Sequence, residues 1–335
     1  MGVRVLAASD KFKGTASAAD VCAAIGHACW DLGIDCVELP LADGGEGTLE
    51  ILGGTNMHTW VTGPLGDPVL AHWRLSRGGA AIEMARASGL TLVGGASQND
   101  ALTASTQGTG ELIDSALDLG ARKIIVCLGG SATTDGGYGA LRAISAPARL
   151  KAVEFVVACD VDTPFLDAAR VFAPQKGASP PEVALLSGRL ERLADTYRGE
   201  YGVDVTTLPG AGAAGGLAGG LAALGARLVP GFDVVVEETD FDEAIEGCDV
   251  IVTGEGRLDD TSCAGKVVGE VARWATTLGK PAHAVVGSVD PDMDAQCLGA
   301  LETIDLSALF TREMSMREPL RCIEEATRDA LRRYC

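Results

Sequence analysis

The chain has 335 residues, 47% of them hydrophobic but only 4% aromatic, with 44 glycines and a formal net charge of −19. A core this poor in rings must be aliphatic, which suits strands alternating with helices better than a sandwich, and the length points to two domains of about 150 residues each. The acidic balance argues against nucleic acid or an anionic membrane surface as a partner, so an anionic substrate needs local cations or a metal.

Val3–Ala8 reads as an apolar strand that ends in Ser9-Asp10-Lys11-Phe12-Lys13-Gly14. Ser17 and Asp20 have capping-box spacing, and Val21, Ile25, Cys29 and Leu32 form one helical stripe closed by Gly33. Lys11 and Lys13 fit either a solvated turn or a phosphate contact. A second strand, Cys36–Leu41, runs into Ala42-Asp43-Gly44-Gly45-Glu46-Gly47-Thr48. Two carboxylates in a glycine-rich loop suit magnesium ligation or general base work, against the plainer reading of acids near a helix N-terminus. From Thr59 the texture turns antiparallel, with short strands at Trp60–Thr62, Val69–Leu75 and Ala80–Met84 that mark an insertion or second domain. Glu83 lies inside an apolar strand and needs a buried partner or a site to face.

The stretch Lys123–Gly139 anchors the reading. Ile124–Leu128 is a continuous apolar run, as in a strand buried on both faces of a parallel sheet. It breaks into Gly129-Gly130-Ser131-Ala132-Thr133-Thr134-Asp135-Gly136-Gly137, a loop whose exposed amides and hydroxyls suit a phosphate. Phe155–Asp160, Asp249–Thr253 and Ala282–Val286 are further strands, the second followed by Gly254-Glu255-Gly256-Arg257-Leu258-Asp259. Strands ending near Asp10, Asp43, Gly129, Asp160, Gly254 and Gly287 are expected in one parallel sheet. That would bring Asp10, Asp43, Asp135, Asp160, Glu255 and Asp290 to one rim.

Gly210, Gly212 and Gly215 satisfy GxGxxG, with Asp233 and Glu237 at the distance of a ribose-binding acid. Pro209 interrupts the entry and the preceding strand is poor, so the string reads as close helix packing instead of a nicotinamide site. The uncharged Leu208–Ala226 is 19 residues long but too rich in Gly and Ala to insert readily into a membrane. Ten cysteines without a CxxC pair fit a reduced cytoplasmic chain. Lys266 follows Gly265, yet no P-loop surrounds it.

These loops together resemble the glycerate kinase family of the bacterial class I type: ASDKFKG (Ala8–Gly14), PLADGGEGT (Pro40–Thr48), LGGSATTDGG (Leu128–Gly137), ACDV (Ala158–Val161), PQKGA (Pro174–Ala178), PGAGAAGGL (Pro209–Leu217) and TGEGRLD (Thr253–Asp259). The resemblance implies a flavodoxin/Rossmann-like parallel-sheet domain plus a second α/β domain with antiparallel strands and an active site in the cleft between them. The expected segments are 1–52, 118–162 and 248–335 for the first, and 53–117 with 163–247 for the second. The implied reaction is ATP- and Mg2+-dependent phosphorylation of D-glycerate, at the 2-hydroxyl in preference to the 3-hydroxyl. Neither nucleic acid nor membrane is implied as a partner, and a homodimer is allowed. Alternatives are a kinase of another small hydroxy acid, an inactive glycerate- or nucleotide-binding relative, and an NAD-dependent oxidoreductase.

The catalytic candidates are Asp43, Asp135, Asp160 and Lys13, with Asp43 or Asp135 as base and Asp160 or Glu255 on the metal. Asp10, Lys11, Gly44, Gly45, Glu46, Gly130, Ser131, Thr133, Gly136, Gly137, Glu255, Arg257, Asp259 and Lys266 are the candidates for substrate and phosphate. Arg257 suits a substrate carboxylate because its fork binds one bidentately. Three departures from the family pattern stand out. Arg142–Val153 is an abbreviated connection, Thr163 replaces an Asn, and Thr261-Ser262 replaces a Gln-Thr pair.

Overall fold

The structure, a computed structural model, describes residues 2–263 and 265–335. Its strands in chain order are β1 Arg4–Ala7, β2 Asp35–Glu38, β3 Met57–Thr62, β4 Pro68–Ser76, β5 Gly79–Glu83, β6 Lys123–Cys127, β7 Glu154–Cys159, β8 Arg227–Pro230, β9 Val250–Glu255, β10 Ala282–Val286 and β11 Glu302–Asp305. The chain divides into two compact units, Met1–Asp43 with Phe232–Cys335, and Gly44–Gly231.

The first unit holds a five-stranded parallel sheet in the order β11-β10-β9-β1-β2. Counted within the unit, this is the flavodoxin-like order, with its reversal between β1 and β9. Helix Ala18–Leu32 starts on the expected capping box, Ser17 accepting from the Asp20 amide. Its buried stripe of Val21, Ile25 and Cys29 packs with Ile323, Ala326 and Leu331 of the amphipathic closing helix Pro319–Leu331 over β1 and β9.

The second unit is built on a six-stranded sheet, β3-β4-β5-β6-β7-β8. β3, β4 and β5 are antiparallel, and β4 and β5 are joined across Arg77-Gly78, both with positive φ as a two-residue hairpin requires. From β5 to β8 the pairing is parallel. Trp73, Ile82, Leu112, Val126, Val157 and Leu217 are buried in its core.

This architecture corrects the expectation of one parallel sheet. β6 and β7 pair with β5 and β8, so Gly129 and Asp160 end strands of the second sheet, and residues 118–162 lie in the second unit. An apolar run shows that a strand is covered on both faces, but partners come from residues distant in sequence, and no local pattern reports them. The six acids accordingly divide. Asp10, Asp43, Glu255 and Asp290 belong to the first unit, Asp135 and Asp160 to the second.

Cys263 and Cys297, 34 residues apart, are joined as a disulfide, against the expectation of a wholly reduced chain. The pair joins the segments that follow the neighbouring strands β9 and β10, a proximity that spacing along the chain does not reveal. No helix among the described residues is long and apolar enough to cross a membrane.

Candidate active site

At the β1/β9 switch point the first unit gathers acids and cations. Asp10 follows β1 and is 9% exposed, and Glu255 ends β9 at 8%. Burial pushes the Asp10 carboxyl up to about 6, with Lys11 opposing and Asp43 adding to the rise. Burial likewise pushes Glu255 up to about 7, opposed by a hydrogen bond from Ser262 and by the Lys266 charge, and reinforced by Asp10 and Asp259. Glu255 Oε1 is buried with no hydrogen-bond partner among the described residues. The backbone N–H of Lys11 donates to Asp10 Oδ1 at 2.7 Å, and its ammonium lies 3.7 Å from the same oxygen. Lys266 Nζ donates to Thr261 Oγ1 at 2.6 Å. Asp259 is taken up locally, accepting from the Thr261 amide and hydroxyl. Arg257 is exposed and paired through Nη2 with Asp290. Lys13 is exposed.

The second unit carries the glycine-rich loop after β6. Asp135 is its anchor: Oδ2 accepts from the Thr106 amide and hydroxyl at 2.9 and 2.8 Å and from the Gly139 amide at 3.1 Å, and Oδ1 from the Gly137 amide at 3.2 Å. A carboxylate so occupied fits a framework role better than that of a base. Tyr197 Oη donates to Gly136 O, fixing the loop's far end. Asp160 is half-buried at the end of β7, beside the start of the loop, since Leu128 donates to Ala158 O. Gly44–Gly47 also belong to this unit. Glu83, flagged as needing a partner, has three: its Oε1 accepts from the Gly47 and Leu49 amides and its Oε2 from Arg86.

One residue was missed by sequence reasoning. Lys176 is 3% exposed, and its Nζ donates to Ser131 Oγ at 2.7 Å and Thr133 O at 2.6 Å. Burial lowers this ammonium to about 7, with Asp135 the opposing charge. The hydroxyls of Thr133 and Thr134 are buried without hydrogen-bond partners among the described residues. The signal was a lysine in the compact PQKGA turn, where exposure is the ordinary expectation.

The GxGxxG string does not follow a strand, since Val205–Thr207 is a short 3-10 turn. It packs beneath the loop instead, Gly136 N–H donating to Gly215 O. Gly215 has φ +70°, and a Cβ there would meet Thr133 O at 2.0 Å and Thr134 Cα at 2.7 Å. Both contacts are backbone and cannot yield. Gly215→Ala is therefore expected to cost at least about 3 kcal/mol in urea unfolding; a variant as stable as wild type would refute this packing role.

Buried carboxylates at a flavodoxin-like switch point, together with a second unit carrying a glycine loop over a buried lysine, define an α/β enzyme equipped for phosphoryl transfer. The sequence profile of the glycerate kinase family matches residues 5–148 and 145–334, two segments that meet at the abbreviated 142–153 connection. The chain belongs to the glycerate kinase family, whose members are ATP-dependent phosphotransferases. It is 38% identical to glycerate 2-kinase of Escherichia coli over 99% of this chain and 95% of that protein. It is 37% identical to a glycerate kinase of Bacillus subtilis, over 88% and 87%. A crystal structure described as a glycerate kinase 2 from Salmonella typhimurium LT2 superposes with a TM-score of 0.82 at 34% identity, covering 98% of this chain and 97% of that one.

Proposed function

We propose that the chain transfers the γ-phosphoryl group of MgATP to the 2-hydroxyl of D-glycerate. The buried Asp10–Glu255 pair carries this reading. Glu255 has an unpartnered oxygen and a carboxyl titrating close to neutrality, the tuning a general base needs to accept a hydroxyl proton. Asp10 holds the substrate end of the site, and Lys266 supplies positive charge beside both acids. Only Nη2 of Arg257 meets Asp290, which leaves other guanidinium donors for the glycerate carboxylate.

The phosphate tail of ATP fits the amides and hydroxyls of the Gly129–Thr133 loop and the Lys176 ammonium. Magnesium needs only one or two carboxylates beside phosphate oxygens, an all-oxygen donor set to which Asp160 would contribute, and the ion would neutralise charge on the transferring group. The 2-hydroxyl is favoured because the Escherichia coli relative is named a glycerate 2-kinase.

Coupled ADP release across small hydroxy acids, with the product's phosphorylated carbon read by NMR, tests the reading. Turnover restricted to D-glycerate with phosphate on carbon 2 supports it. Phosphate on carbon 3, or turnover of a different hydroxy acid alone, overturns the regiochemistry or the substrate.

A further inference from the structure

Adjoining the glycine loop, within the second unit, is a cavity of about 310 Å³. Leu102, Ala104 and Leu193 give it apolar walls, and Tyr138 and Arg192 offer two flat faces. Arg189, which also lines it, is spoken for, its Nη1 donating to Leu102 O at 2.6 Å. The Arg192 guanidinium has no partner among the described residues. Thr134, whose buried hydroxyl is unpaired, stands at the cavity directly after Thr133 of the Lys176 contact.

We propose that this cavity takes the purine base of ATP. The volume lies at the small end for ligand sites, the size of a ring system and not of a whole nucleotide. An aromatic ring and a free guanidinium stack on a base face, and apolar walls with few polar groups are what such a ring needs. Continuity decides the choice of ligand. The apolar cavity and the phosphate-suited loop share consecutive residues, so one molecule with a flat head and an anionic tail satisfies both, which a small hydroxy acid cannot do. The proposal deepens the kinase reading and rests on it.

The test uses the full chain with ADP, 8-azido-ADP and inorganic tripolyphosphate as probes. Tyr138→Ala removes the stacking ring, and Thr196→Trp, at a half-buried lining position on helix Pro180–Tyr201, fills the space. Each is expected to raise the ADP Kd roughly 5- to 100-fold. The Tm, the KM for glycerate and the Ki of tripolyphosphate, which has the tail without the base, should stay where they were. Photolabelling should fall on peptides carrying Tyr138 or Arg192. If both variants bind ADP as wild type does, or if the label lands elsewhere while the enzyme turns over, the base sits elsewhere and the kinase reading stands. A wild type that neither binds ADP nor releases it with glycerate overturns both.

Discussion

Glu255→Gln is expected to lower kcat/KM for glycerate by roughly 10²–10⁴, the range for loss of a general base, while the fold persists. The amide keeps the shape of a side chain buried at the end of β9 and removes only its ability to take a proton. Asp10→Asn should cause a smaller loss, since Asp10 raises its neighbour and shapes the site. The pH profile separates them. Wild-type activity should fall as pH drops through the values of about 7 for Glu255 and 6 for Asp10, because both must be ionised. In stability the sign is opposite. A carboxyl raised in the folded state favours folding when protonated; that contribution is complete below the unfolded value near 4 and is lost as pH rises through the folded one. Each amide variant should therefore be more stable than wild type at pH 8, by up to about 3 kcal/mol. A Glu255→Gln enzyme that turns over normally, or one destabilised at pH 8, would dismiss the role assigned to this carboxylate.

Local elements were legible in the sequence because their causes are local. The capping box at Ser17, the apolar runs of β1, β6, β7, β9 and β10, and the Thr59–Met84 antiparallel segment follow from spacing and period alone. Strand β8 was missed: Arg227–Pro230 is four residues long, pairs on one side only and ends in proline, so it carries no alternation to detect. Sheet membership was not legible either. β1 and β9 are neighbours although the whole second unit lies between them in sequence.

The candidate site shows the same division. Glycine-flanked acids announced which loops matter, yet Asp43, Asp135 and Glu255 look alike in sequence. What distinguishes Asp135 from Glu255 is occupancy: Asp135 accepts four hydrogen bonds, whereas Glu255 keeps a buried oxygen without a partner among the described residues. Those donors come from Thr106, Gly137 and Gly139, and the Thr106 pair is reachable only through the tertiary fold.

Lys176 gives the second large effect. A buried ammonium held by a hydroxyl and a carbonyl, with no carboxylate paired to it among the described residues, is costly to charge and is retained where an anion will meet it. Its folded value of about 7 lies below the ordinary lysine value of 10.5, so the charged form fades as pH rises through neutrality in the free enzyme. Phosphate needs that charge, so kcat/KM for ATP should have an alkaline limb near 7, opposite the acid limb set by Glu255 and Asp10. The result is a narrow bell with its maximum close to neutral pH. Lys176→Met keeps most of the length, removes the charge and should erase the alkaline limb while lowering kcat/KM by roughly 10²-fold or more. Lys176→Arg does not rescue it, because the planar fork is always charged and too wide for a site fitted to one nitrogen between Ser131 and Thr133. A purely structural lysine predicts otherwise. The Met variant would then be less stable, having left Ser131 Oγ and Thr133 O unsatisfied at about 1–3 kcal/mol, but its surviving activity would retain the wild-type bell. An unchanged alkaline limb in Lys176→Met assigns the titration to another group and returns Lys176 to the framework.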